Sequence, residues 1–259
     1  MNDADRQLVE RARQGDREAT AQVLRDYEQR IYRFGLRLCG DEDAAREVLQ
    51  ETLLAAFKGV TSFRGEAELS TWLYALARSF CLRSRRTPKT ESLDTDELQR
   101  REDPAPTPDA RAHAREIGVV LQAALGALSD DAREVVILKD VEGLTAEAIA
   151  GVLHEDVAAV KSRLHRARVQ LRQHLSAVLE PQDAVVEACP EFALRLADFA
   201  AGEEVDQSMC LLIERHLAEC PKCASACDSL RKTVSLCRHL PGGEVPPPIR
   251  AAVRRALGW

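Results

Sequence analysis

Apolar residues recur at three- and four-residue spacing along most of the chain, the period of helices packed through one face. After Gly15, Asp16 can cap a helix whose apolar positions include Val23, Leu24, Tyr27 and Ile31. Asp41 can cap a second, running to about Phe57, with Ala45, Leu49, Leu53 and Ala56 on one face. Ser70 or Thr71 opens a third, through Trp72, Leu73, Ala75 and Leu76, which finishes in Arg83, Arg85 and Arg86. Cations in a last turn complement the helix dipole, so part of that charge needs no ligand to explain it. From 87 to 113 the pattern lapses: Pro104, Pro106 and Pro108 and mixed charge predict a flexible linker. Helical spacing resumes from about Ala114 to Val178, and Pro181 follows. A Cys/His-rich segment occupies 179–240. Pro241 to Pro248 then separate a last helix, Ile249 to Leu257, with Ile249, Val253 and Leu257 on one side. With no internal repeat and no strand–helix alternation, the expected fold is all-α: helical domains at 1–86 and 114–178, a small helical Cys/His domain at 179–240, and a Pro-rich end at 241–259.

The segment from Leu144 to Leu175 carries the most chemistry. Thr145 can cap a short helix containing Ile149, Ala150 and Leu153, and His154, Glu155 and Asp156 form a polar turn. In the long helix that follows, Val157, Val160, Leu164, Ala167, Leu171 and Leu175 define a buried stripe. Lys161, His165, Arg168 and Arg172 share another face, and Arg163 and Arg166 point elsewhere outward. This is the pattern of a helix–turn–helix whose basic second helix enters the major groove; a solvated basic face on an ordinary bundle helix is the alternative.

Composition adjusts this picture. A net charge of −6 argues against nucleic-acid binding only until its distribution is considered: 155–175 is basic, while 91–109 is mostly acidic. Aromatic residues make up 4%, which favours helices over sheets. No run of 18 apolar residues and no signal-type N-terminal segment occurs, so a cytoplasmic protein without membrane contact is expected. In that compartment the eight cysteines are not expected to form disulfides. Cys39 and Cys81, each alone in a helical pattern, read as small core hydrophobes. The other six lie beyond residue 188.

Two blocks of the chain resemble extracytoplasmic-function (ECF) sigma factors. Val160-Lys161-Ser162-Arg163-Leu164-His165-Arg166-Ala167-Arg168 is similar to the signature of that family's region four, and Leu128–Arg133, Leu138, Gly143 and Ile149-Ala150 keep its order and spacing. Ala45 to Thr52 resembles the polymerase-binding helix of region two. Phe63-Arg64-Gly65, Thr71-Trp72-Leu73, Ala75 and Ala77-Arg78 resemble its promoter-melting segment. The resemblance spans about 5–178. It departs from the pattern at Ser79, Ala148 and Ala159, and Ala159 points to an unusual −35 preference. It implies that Glu47, Gln50 and Glu51 meet core RNA polymerase. It also implies that Arg64, Thr71 and Trp72 engage the −10 strand (Trp72 equally suits a core role), and that Arg83, Arg85 and Arg86 neutralise phosphates. Lys161, Ser162, Arg163 and Arg166 would meet the −35 element. Such a protein is no enzyme; it lends binding energy and specificity to polymerase.

In the last segment, His216-x3-Cys220-x2-Cys223 has zinc-site spacing, with Cys189 as a fourth donor. Pro221 suits the first turn of a new helix capped by Cys220, where the dipole favours a thiolate. The block around Cys189-Pro190-Glu191 and His216 to Cys223 resembles the zinc-binding anti-sigma domain. Its fusion to a sigma factor resembles the CorE-type metal-dependent sigma factors, which implies control in cis without a separate anti-sigma protein. Cys210, Cys227 and Cys237 add thiolates. Three readings stand open: a sensor in which Zn(II) or an inducing Cd(II), Zn(II) or copper ion acts on the seven residues, a structural zinc site, and a thiol redox switch.

Overall fold

Asp16 accepts hydrogen bonds from the N–H groups of Glu18 and Ala19, and Asp41 from that of Ala44, so two expected caps open helices. The computed structural model describes residues 3–65, 67–86, 108–175, 188–203, 205–240 and 244–258. In chain order its helices are α1 (Asp3–Arg13), α2 (Arg17–Cys39), α3 (Glu42–Gly59) and α4 (Leu69–Arg86), followed by α5 (Pro108–Ala127) and α6 (Asp130–Val136). Then come α7 (Ala146–Leu153), α8 (Val157–Leu175), α9 (Ala193–Ala200), α10 (Gln207–Glu219), α11 (Pro221–Arg238) and α12 (Pro247–Leu257). A 3-10 turn follows α3 at Val60–Ser62, and a π-turn follows α6 at Ile137–Val141. The described residues contain no strand. Helix α5 starts at Pro108, inside the span expected to be linker; a proline lacking its N–H is tolerated in a first turn. The rest of that span, and Pro181, lie outside the described residues.

The helices sort into two compact units. One comprises 1–105, 150–154 and 242–259; the other 106–149 and 155–241. The Cys/His segment therefore shares a unit with α8, whereas the end of α7 and the last helix fall in the first unit.

In the first unit α2, α3 and α4 pack around fully buried Ile31, Phe34, Leu49, Leu53 and Leu73, with the Phe34 and Tyr74 rings 5.1 Å apart. Gly35 permits the approach of α2 to α3, since a Cβ there would stand 3.3 Å from the Ala45 Cα. Helix α12 lies on α3 with Ile249, Val253 and Leu257 buried. The Val245 N–H donates to Gln29 Oε1 at 3.1 Å, and Arg250 stands 3.6 Å from Glu28. Cys39 and Cys81 depart from expectation. Cys81 is fully buried, as a core residue should be, but a disulfide joins the two, their Cα atoms 5.8 Å apart.

In the second unit α5, α6 and α11 pack on α8. Of the expected stripe, Val160, Leu164, Ala167, Leu171 and Leu175 are buried, while Val157, at the start of the helix, is only partly so. A further core of Leu196, Ala197, Ile213, Ala226 and Leu230 joins α9, α10 and α11.

Candidate DNA-reading helix and metal centre

The turn into α8 forms as the sequence suggests. Thr145 Oγ1 accepts the Ala148 N–H at 3.1 Å, and His154 supplies the left-handed residue at φ 57°. Of the predicted DNA-contacting side chains, Arg166 is exposed and donates to Ser162 Oγ at 3.1 Å. Arg163 meets both carboxylate oxygens of Glu155, at 2.7 and 2.6 Å. Lys161 is half-buried, with Nζ 4.0 Å from Asp198 in α9.

The face of Lys161, His165, Arg168 and Arg172, expected to point to solvent, instead carries the Cys/His segment. Arg168 is 0% exposed: its Nε donates to Asp140 Oδ2 at 2.9 Å, its Nη2 stands 3.3 Å from Glu203, and its Nη1 donates to the Ala197 carbonyl at 3.4 Å. Arg172, also buried, donates to the Ala226 carbonyl of α11 at 3.4 Å. Burial, then the nearby Arg168, Arg172 and Arg166 charges, hold the His165 imidazole below its usual range. Carboxylates and carbonyls on α9, α11 and the π-turn solvate cations that would otherwise need water, which is why this face can close.

In the first unit, Glu47 and Glu51 are exposed on α3 and Gln50 is half-buried, while Ala45, Val48, Leu49, Thr52 and Leu53 face the core. Arg64 is exposed and Thr71 is buried. Trp72 is half-buried, its ring 5.2 Å from Phe63, an arrangement closer to a core residue than to a free stacking platform. Arg83 is exposed with its guanidinium over the Phe80 ring, and Arg85 donates to the Leu38 carbonyl. The side chain of Arg86 lies outside the described residues.

The donor atoms of Cys189, His216, Cys220 and Cys223 all lie within 4.8 Å of one another. His216 Nε2 is 3.2 Å from Cys223 Sγ, Cys189 Sγ is 4.0 Å from Cys220 Sγ, and the Cys189 N–H points to Cys223 Sγ at 3.3 Å. Tetrahedral zinc, with bonds of about 2.0–2.3 Å, spaces its ligands by roughly 3.5–3.8 Å, so three thiols and an imidazole here suit that ion. Phe192 stacks on His216 at 4.0 Å and fixes its ring plane. Cys220 occupies the N-cap position of α11 and Pro221 its first turn, as the sequence suggests. The Cys223 N–H in that first turn lowers the Cys220 thiol, while sharing its proton with Cys223 and Cys220 raises Cys189 to about 11. Among the described residues the remaining cysteines stay outside the cluster. Cys210 Sγ faces the Val205 carbonyl at 3.5 Å, and Cys227 and Cys237 are buried. A seven-residue metal set is not assembled, because Cys227 packs into the hydrophobic core of α11, where burial raises its thiol.

Residues 23–90 match the family described as Sigma-70 region 2, and residues 119–171 match Sigma-70, region 4. The ECF RNA polymerase sigma factor SigE of Mycolicibacterium smegmatis is 33% identical over 158 residues, which are 60% of this chain and 61% of that protein. The chain thus spans less than two thirds of that relative's length. The RNA polymerase sigma-H factor of Pseudomonas aeruginosa is 30% identical over 184 residues, 68% of this chain and 95% of that protein. The chain belongs to the ECF sigma-70 family. A solved structure described as the sigma factor RpoE in complex with the anti-sigma factor NepR from Bartonella quintana aligns at 23% identity. It covers 60% of this chain and 96% of that one, with a TM-score of 0.47. Neither family match extends past residue 171, so the Cys/His cluster lies beyond both.

Sequence reasoning missed several residues that hold these sites. Arg13 donates to the carbonyls of Phe63, at 2.9 Å, and Arg64, at 3.2 Å, and so fixes the loop before α4. Asp140, Asp198 and Glu203 bind the basic face of α8. Each is a single charge far away in sequence, and the helical period carries no signal for it.

Proposed function

We propose that this sigma factor directs core RNA polymerase to its promoters, and that a thiophilic ion held by Cys189, His216, Cys220 and Cys223 governs the use of α8 in cis. Polymerase supplies the phosphoryl-transfer chemistry. The first unit would meet polymerase through Glu47, Gln50 and Glu51 and the −10 strand through Arg64, Thr71, Trp72, Arg83, Arg85 and Arg86. Helix α8 would read the −35 element through Lys161, Ser162, Arg163 and Arg166.

One observation carries the regulatory part: α11 begins at ligands Cys220 and Cys223 and runs onto α8, where its Ala226 carbonyl receives Arg172. With α9 attached to the same core, Asp198 and Glu203 hold Lys161 and Arg168. An ion that sets the start of α11 therefore acts on the carboxylates that compete with phosphate for the basic face. Zn(II) fits the donor set, and Cd(II) and copper share its preference for thiolates.

The test is reconstituted transcription from a cognate promoter, without any other regulatory protein, while Zn(II), Cd(II) and copper are titrated into metal-free, reduced sigma factor. A metal-dependent change in transcript, lost in Cys223→Ser, supports control in cis. Full activity in metal-free protein with no response to any ion overturns it. A chain ending at 175 separates inhibition from activation by the tail. A structural zinc site is favoured by one feature, that four donor atoms lie within 4.8 Å of one another, the number a tetrahedral ion takes. In that case metal removal would unfold the second unit without a graded change in promoter use. A response seen only when a separate anti-sigma protein is added would move the control to trans.

A further inference from the structure

We infer that Cys39 and Cys81 form a reversible dithiol–disulfide couple, a thiol-oxidation site in the first unit that answers hydroperoxides and is distinct from the metal centre. The pair is linked with a Cα separation of 5.8 Å, inside the window of about 4.4–6.8 Å that a disulfide requires. Cys81 is fully buried in α4, whereas Cys39 is half-buried as the last residue of α2, beside the exposed Gly40. The two helices already pack on each other around Phe34 and Tyr74, so neither bond formation nor bond loss asks them to separate. Both redox states are thus compatible with one fold, which distinguishes a couple from an obligatory staple. In a reducing compartment the dithiol is the resting form, and an oxidant drives the other.

Exposure sets the order of the chemistry. The Cys39 thiolate attacks one peroxide oxygen; the O–O bond breaks, leaving a sulfenic acid on Cys39 and, after proton uptake, one water. The Cys81 sulfur then attacks the Cys39 sulfur. The S–O bond breaks, the hydroxyl leaves as a second water with the Cys81 proton, and the S–S bond forms. Two thiols lose two electrons and the peroxide becomes two waters; a dithiol reductant reverses the step. Oxidation ties the end of α4 to the corner between α2 and α3, where Arg85 also reaches the Leu38 carbonyl. The helix held in this way carries Thr71 and Trp72 in its first turn and lies within the residues that match sigma-70 region 2. This inference rests on that packing alone, so it stands or falls apart from metal control.

The test uses the full chain. Reduced protein is exposed to hydrogen peroxide, quenched with an alkylating agent in denaturant, and digested with trypsin. Cleavage after Arg37, Arg46, Arg78 and Arg83 isolates peptides 38–46 and 79–83, each with one cysteine. We expect the two peptides joined, two hydrogens lighter than the separate thiols and released by dithiothreitol. In a Trp259→Phe chain, Trp72 fluorescence should melt several degrees higher after oxidation, and Cys39→Ser should remove that rise. Peptides 38–46 and 79–83 recovered singly alkylated after peroxide would overturn the inference. So would Cys39 joined to a tail cysteine, or a stable sulfinic acid on Cys39 without the link. The mapping needs no variant, so misfolding of a mutant does not obscure the outcome.

Discussion

Arg168 and Arg163 lie on the same basic helix, yet their surroundings assign them different work. Arg168 is 0% exposed against Asp140, which is itself 3% exposed, so Arg168→Met would strand a buried carboxylate. Breaking such a pair costs about 3–5 kcal/mol, and chemical denaturation of the second unit should show a loss of that size. Arg163 holds Glu155 in a half-exposed pair, where such contacts are worth about 0–1 kcal/mol. Arg163→Ala should therefore leave the fold and co-purification with core polymerase intact while weakening promoter-specific transcription in a reconstituted assay. His165 adds a pH term. Its imidazole is held below the usual value of 6.5, first by burial and then by three arginines. As pH falls below about 6.5 the unfolded chain takes up a proton that the folded one refuses. The contribution is thus complete above that pH and lost as pH drops through the depressed folded value. The melting midpoint of the second unit should decline between pH 7.5 and 5.5, and His165→Gln should flatten that decline; equal slopes in both proteins would remove the assignment.

Among the elements, the caps were legible because a cap is local. Asp16, Asp41 and Thr145 bond N–H groups two or three residues ahead, and each does so where the sequence places it. Boundaries set by packing were less so: α4 opens at Leu69, before the expected Ser70 or Thr71, and α5 at Pro108 instead of about Ala114. The π-turn at Ile137–Val141 left no mark in the pattern, although it places Asp140 against Arg168. In helix α12, burying Ile249, Val253 and Leu257 contributes about 1.5–3 kcal/mol each, and these three side chains are its buried anchors. The helix should therefore detach when one anchor is replaced by a charge. Val253→Asp should speed amide hydrogen exchange across 247–257 by at least tenfold, with exchange in the α2–α3 core unchanged; protection equal to that of the native chain would show that the docking is tighter than this.

Over the whole molecule, the Cys/His cluster and helix α8 belong to one compact unit, so an ion bound to the cluster would be linked to the folding of that unit. A site that binds only the folded chain adds about 2.7 kcal/mol at a hundredfold excess of free ion over its Kd. Zinc should raise the melting midpoint of the second unit, and His216→Ala should abolish most of the rise; an unchanged midpoint in the native chain would mean the four donors hold no zinc under those conditions. The sequence by itself determined the helical class, the caps at Asp16, Asp41 and Thr145, most of the buried stripe of α8, the two sigma regions and the four-donor spacing from Cys189 to Cys223. All of these are set by side chains close along the chain, or by motifs whose spacing survives being read in one dimension. Only the tertiary structure decided that Cys39 meets Cys81, that Cys210, Cys227 and Cys237 stand outside the cluster, and that Asp198 and Glu203 cover the basic face of α8. It also decided that α12 belongs with α2 and α3. The physical reason is the same in each case. Helical period says which face of an element is apolar or charged, but the partner of that face is chosen by contacts between residues tens to hundreds of positions apart, and these have no local signature.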